Sequence, residues 1–138
     1  MTIPVNLKII SSMTDGENSD QFEMEMTGER TEEPECFSVH YILPETGGKV
    51  QCDLLVRRGR VEILNHGDLE SRLILEPGVR KLFPYQTPYG NLVMEVVTDI
   101  LEMPETFSRQ EMEIRAAYRL FSGRSHLSSH EVHIIIGE

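Results

Sequence analysis

The sequence is short of basic residues and of cysteine, and it lacks any long apolar run. Lys and Arg number 13 against 23 Asp and Glu, a formal net charge of −10 over 138 residues. A nucleic-acid binder needs a basic footprint that displaces counterions from phosphates, so that class is excluded. An anionic membrane surface repels such a chain as well. No apolar run approaches the roughly 18 residues of a membrane span. The start, MTIPVNLKII, lacks the basic opening, the apolar block and the small-residue cleavage site of a signal peptide. These absences place the protein in the cytoplasm. The two cysteines, Cys36 and Cys52, form no CxxC and no zinc-type pairing, and in a reducing compartment they read as separate buried thiols.

Catalytic and ligand-binding motifs are equally scarce. There is no Gly-x-Ser-x-Gly elbow, and no spacing pairs a Ser, Thr or Cys with a base. Gly47-Gly48-Lys49 lacks the four-residue spacer and the Ser or Thr of a phosphate loop, and reads as a hairpin turn. His130-Glu131-Val132-His133 has its histidines three apart, not four, and a strand would point them to opposite faces. His126 and His130 would share a strand face, but about 13 Å apart, too far to share one ion. Neither a metal nor a cofactor is expected. Arg57-Arg58-Gly59-Arg60 is the one basic cluster, read as a solvated turn ahead of an anion site.

What is present is a rhythm. Hydrophobic residues make up 39% and charged residues 26%, which suits one globular unit over residues 1–138. A chain of this size buries roughly 70% of its unfolded surface without staples. Apolar residues recur at period two: Ile3, Val5, Leu7 and Ile9; Phe22, Met24 and Met26; Phe37, Val39, Tyr41 and Leu43; Val50, Cys52, Leu54 and Val56. The pattern continues with Val61 and Ile63; Leu69, Ser71, Leu73 and Leu75; Leu92, Met94, Val96, Thr98 and Ile100; and Val132, Ile134 and Ile136. Asp15-Gly16, Pro44 to Gly48, Asn65-His66-Gly67, Pro77-Gly78 and Thr87-Pro88-Tyr89-Gly90 read as turns, and the acidic stretch around Glu32, Glu33 and Pro34 as a loop. Ser108-Arg109-Gln110-Glu111 has the form of a helix capping box. Yet Met112, Ile114, Ala116, Tyr118 and Leu120 alternate strictly, which a helix would scatter and a strand gathers. Residues 109–121 are therefore read as a strand, with a helix as the alternative.

Short strands between turn signals, each with one charged and one apolar face, predict an all-β, antiparallel up-and-down barrel of about eight to ten strands. A two-sheet sandwich is the alternative. The inward faces would carry methionines, including Met94 and Met112, together with Tyr41, Ser71, Thr98 and Tyr118. These six are the candidate lining of a ligand pocket, since methionine adapts to varied shapes and hydroxyls orient a ligand. The competing reading of the same faces is a dry core.

The chain also resembles a known family. The carrying residues are Tyr85-x-Thr87-Pro88-Tyr89-Gly90 with the strand to Thr98, then Tyr118-x-Leu120 and Leu127-Ser128-Ser129-His130, and the opening strand with the loop before Gly28. They resemble the YwiB-like bacterial proteins of unknown function. One departure is Asn65, where many members carry an arginine two residues before Gly67. The resemblance implies a calycin-type, lipocalin-like barrel, and it implies no reaction.

Three classes of function follow, in this order. The first is a barrel that binds a small apolar ligand. The second is an interaction module or homodimer acting through an outer patch of Leu55, Leu64, Ile74 and Ile135. The third is an enzyme, which would need a cluster of perturbed titratable groups that the sequence does not offer.

Overall fold

The computed structural model describes residues 2–43, 50–67, 70–87, 90–107 and 111–137. Among them run ten strands: β1 (Thr2–Asp15), β2 (Asn18–Glu33), β3 (Cys36–Ile42), β4 (Val50–Arg57), β5 (Arg60–Gly67), β6 (Glu70–Leu75), β7 (Arg80–Thr87), β8 (Gly90–Glu102), β9 (Met112–Ser122) and β10 (Ser125–Gly137). Each pairs antiparallel with its sequence neighbour, and β10 pairs with β1, so the strands close into one up-and-down barrel. Closure pairs the first strand with the last, so among the described residues little sheet edge is left free to template aggregation, apart from the lower part of the β6–β7 seam. Among the described residues no helix is long and apolar enough to cross a membrane. Cys36 and Cys52 are free thiols, as expected; Cys52 is buried, but Cys36 is only half-buried, because it lies at the outward-phase start of β3.

The period-two pattern becomes an inside and an outside. Where β1 and β2 meet, Gly16 at φ 60° completes the two-residue turn between paired Asp15 and Asn18. Gly59 at φ 75° does the same between Arg57 and Arg60. We call the end holding Gly59 the lower end and the end holding Gly16 the upper end.

Residues 112–122 are a strand, as their alternation requires. The capping-box residues 108–110 lie outside the described residues, as do Pro44 to Gly48, the Gly47-Gly48-Lys49 turn, Leu69 and Pro88-Tyr89. Several boundaries differ from the sequence reading. Glu32 and Glu33 are not loop but the end of β2, paired with Phe37 and Cys36. Asn65, His66 and Gly67 are not a turn but the end of β5, paired with Cys52, Gln51 and Val50. Ladder pairing with a neighbour overrides local turn preference in both places.

Two bulges change which residues point inward. One lies between Thr98 and Ile100, so Ile100 turns outward and is exposed, while Leu101 takes the inward phase opposite Ala116. The other lies between His126 and Ser128, so His126 pairs with outward-facing Phe121 and His130 with inward-facing Tyr118. His126 and His130 therefore face opposite sides of the wall. An extra residue in one strand shifts every later side chain by one phase.

The lower core is fully covered. Val5, Leu7, Phe37, Val39, Leu54, Val56, Val61, Leu75, Ile114, Ile134 and Ile136 are each no more than 3% exposed. The weakest seam in the wall is between β6 and β7, where only Glu70–Gln86 and Ser71–Tyr85 are in register. Below that seam the Glu76 backbone N–H donates to Thr98 Oγ1 at 3.1 Å, and Pro77 bridges to Thr98.

Candidate functional site

Inward-facing side chains become more exposed toward the upper end. Along β8, Val96 is buried, Met94 is half-buried, and Leu92 is 58% exposed. Along β2, Met26 and Met24 are half-buried, and Phe22 is 50% exposed. β1 goes from buried Leu7 and Ile9 to half-buried Ser11 and Met13. β5 and β6 go from buried Val61 and Leu75 to half-buried Asn65 and Ser71. β3 and β4 stay buried to the top, at Tyr41, Cys52 and Val50, and Ser128 near the upper end of β10 is buried as well. An inward residue in a filled barrel meets other side chains, so the inward face is less fully packed toward the upper end than in the lower core.

Two polar groups lie on the inward face in this less packed zone. The first is a row across four neighbouring strands: Tyr41 pairs with Cys52, Cys52 with Asn65, and Asn65 with Ser71. Cys52 Sγ donates to Asn65 Oδ1 at 2.8 Å, and Asn65 Nδ2 donates to Ser71 Oγ at 2.8 Å. Burial pushes the Tyr41 phenol well above its ordinary pKa and the Cys52 thiol up to about 11, so both stay neutral. The second group lies on β8 to β10. Tyr118 pairs with Thr98 and His130, its ring is stacked on the imidazole, and Ser128 Oγ lies 2.7 Å from His130 Nε2. Burial pushes Tyr118 up to about 12 and lowers His130, which keeps both uncharged at neutral pH.

The six candidate lining residues thus divide. Tyr41 and Ser71 belong to one hydrogen-bonded row, and Thr98 and Tyr118 are cross-strand neighbours on the other wall. The Thr98 hydroxyl is already engaged by the Glu76 backbone. Met94 lies in the half-buried zone of β8. Met112 stands apart: it is six residues down β9 from Tyr118, about 20 Å by strand rise, and buried in the lower core opposite Ile136. Asn65 and His130 join the polar groups although neither was among the candidate lining residues. Counting in steps of two from Val61 reaches Asn65, but the Asn-His-Gly turn signal masks it. Counting back from Ile136 reaches His130, ahead of the bulge.

The basic cluster has a different surrounding. Arg57 and Arg58 line a lower-end cleft of about 720 Å³ with Arg30, Cys36, Thr106 and Phe107, and Glu32, Glu33 and Glu35 line it too. Arg30 is buried with its guanidinium 4.2 Å from the Phe37 ring centre, and Arg58 lies over Phe107. Three carboxylates balance three guanidiniums, so the cleft has no net charge to draw an anion. The outer patch is also only partly assembled. Leu55, Leu64 and Ile74 lie on adjacent strands β4 to β6, each half-buried, but Ile135 is on β10, opposite Lys8 and Glu113. The most exposed outer apolar residues are Leu82 at 71% and Val93 at 66%, beside Pro84 on β7 and β8.

The chain matches the model of a domain of unknown function, DUF1934, over residues 7–134. No curated protein matches it. Among solved structures it is similar to the crystal structure of the ywiB protein from Bacillus subtilis, with 20% identity, a TM-score of 0.82, and coverage of 99% of this chain and 94% of that one. At that identity the likeness speaks to fold alone, and it bears out the resemblance read from the sequence. The family match begins in β1 and ends in β10, so it spans the whole barrel. The chain belongs to the DUF1934 family of unknown function.

Proposed function

We propose that the barrel binds a small, mainly apolar molecule in the upper half of its lumen. The carrying observation is that Phe22 and Leu92 take the inward phase of β2 and β8 yet have half or more of their surface in water. Apolar surface left wet forgoes about 25 cal/mol per Å², which an apolar occupant recovers. Met13, Met24 and Met94 offer adaptable contacts around it. Asn65, Ser71 and His130 offer neutral hydrogen-bonding groups to orient it. Eight-stranded barrels are just wide enough for one small ligand, and ten strands give a wider ring. The lipocalin-like architecture and a cytoplasmic location fit this reading, which involves no reaction.

Native mass spectrometry of gently purified protein, beside a denatured extract, tests it. The expected result is an extra mass that disappears on denaturation, or uptake of Nile red with a rise in its fluorescence. Apo protein that also fails to take up Nile red would overturn the proposal.

The second reading is self-association through the outer wall of β7 and β8. It is favoured by the exposed trio Leu82, Pro84 and Val93. Light scattering on a sizing column separates the two: a dimer that Val93→Glu converts to a folded monomer supports this reading, and a monomer at all concentrations rejects it.

A further inference from the structure

The lower-end cleft of about 720 Å³ is neutral overall, but its charges are not all paired off. Arg57 and Arg58 stand where β4 turns into β5, and Glu33 and Glu35 where β2 turns into β3. All four are exposed. Other arginines of the wall have carboxylate partners: Arg60 and Arg72 share Glu62, Arg80 has Glu95 and Arg119 has Asp99. Within the cleft Arg30 and Glu32 lie 3.6 Å apart. Among the described residues Arg57 and Arg58 have no carboxylate within ion-pair distance, and Glu33 and Glu35 have no basic partner. Cys36 connects the two sides: it pairs across the ladder with Arg57, and its thiol donates to Glu33 Oε2 at 3.4 Å. Two positive and two negative groups therefore line one cleft without neutralising each other. Glu35 has φ 65°, which glycine would hold without strain, so the turn keeps a carboxylate where glycine suits the backbone better. Phe107 adds an apolar surface. It meets Phe37 edge-on with ring centres 5.2 Å apart, and the Arg58 guanidinium lies 5.6 Å from its own ring centre. An arginine lying over a ring keeps its N–H groups available for a carboxylate.

We infer that this cleft binds a short zwitterionic peptide of dipeptide size, with its carboxylate on Arg57 and Arg58, its ammonium on Glu33 and Glu35, and an apolar side chain against Phe107. A simple anion is repelled by the two carboxylates and a simple cation by the two guanidiniums. A molecule that carries both charges satisfies both sides, so the cleft selects by charge pattern and not by net charge. Charge-assisted hydrogen bonds hold each end. An extended dipeptide spans about 7 Å, enough to bridge charges that do not reach each other. The cavity volume falls within the range of roughly 300–1,000 Å³ usual for small-molecule sites. The cleft is at the opposite end of the barrel from Phe22 and Leu92, so this site stands whether or not the upper end holds a ligand.

The test follows backbone amide signals of the isotope-labelled full chain by NMR at about pH 6.5, where a peptide amino terminus is charged. The probes are alanyl-phenylalanine, its N-acetyl form and its C-terminal amide. In the wild type the signals of Cys36, Gly59 and Thr106 are expected to shift to saturation with the free dipeptide, and blocking either terminus to raise the midpoint about tenfold or more. With Arg57→Gln and Arg58→Gln together, the C-terminal amide is expected to bind as well as the free dipeptide, while the N-acetyl form still binds more weakly. With Glu33→Gln and Glu35→Gln together, the expected pattern is the reverse. No saturable shift up to about 10 mM dipeptide overturns the inference, and so do blocked forms that bind the wild type as well as the free dipeptide. A penalty that survives unchanged in the matching double variant puts the binding elsewhere and overturns it as well. Folding of each variant is checked by circular dichroism. Should a double variant not fold, Arg57→Gln or Glu33→Gln alone replaces it, and should that also not fold, the comparison of the three probes on the wild type decides.

Discussion

Tyr118 lies flat on His130, with ring centroids 4.8 Å apart and planes 3° from parallel. The stack and the wall around it take the imidazole out of water, and this burial lowers its pKa. An unfolded histidine titrates near pH 6.5, as a rough reference. Between the folded value and that reference, the unfolded chain binds more protons. Stability from this site is therefore complete above about pH 6.5 and is lost as pH falls toward the folded pKa. The His130 ring resonances followed by NMR should titrate with a midpoint below that of a histidine peptide. A midpoint at or above the peptide value would contradict the burial argument. His130→Phe should lose less stability than the wild type between about pH 7 and pH 5.

Glu62 is an outward-phase residue of β5 that is nonetheless buried, covered by Arg72 and Arg60. Arg72 Nε donates to its Oε1 at 3.0 Å. Burial alone would raise the carboxyl pKa, but the two guanidiniums outweigh it and hold it below the ordinary range. Arg72→Ala leaves that carboxylate with Arg60 only and should cost about 2 kcal/mol in urea unfolding at pH 7. The depressed pKa sets the sign of the pH effect. The contribution is present above about pH 4.3 and is lost as pH falls through the folded value, so wild type and variant should converge in acid. A gap that persists well below that range would mean that Arg72 acts through packing.

Gly28 sits mid-strand in β2, between Val5 and Tyr41. A Cβ there would meet the His40 carbonyl oxygen at 2.8 Å and Val39 Cγ1 at 3.1 Å. The first of these is backbone held by the β3–β4 ladder, so it yields little. Gly28→Ala should destabilise the barrel by about 1–3 kcal/mol. A neutral result in thermal melts would show that β2 and β3 can separate there at little cost.

The upper and lower parts of the inward face should respond differently to truncation. Ile136→Ala removes a side chain with no exposed surface from the lower core and should cost about 2–5 kcal/mol. Met24→Ala trims a half-buried side chain beside exposed Phe22 and should cost about 1 kcal/mol or less. Chemical denaturation of both variants measures the contrast. Equal losses would mean that the upper inward face is as tightly packed as the lower core.

Much of the fold is legible along the chain because side-chain alternation is a local property. Ile3 to Ile9, Phe37 to Tyr41, Val50 to Val56 and Met112 to Leu120 each declare a strand and its inner face without knowledge of any partner. Gly16 and Gly59 mark turns for the same local reason. The strict alternation of 112–120 was enough to decide between strand and helix.

Tertiary structure decided the phase shifts, the pairings and the depth. Whether Ile100 points in or out depends on a bulge against β9, and His130 faces Tyr118 only because β10 gains a residue before Ser128. Asn65 enters the polar row because pairing with Cys52 carries β5 past its turn signal. Position along the barrel axis separates buried Met112 from half-buried Met94, although both alternate in the same way. Periodicity assigns each residue to a face; only closure of the ring and the register between strands set its height in the barrel, and height determines whether it meets packed side chains or water.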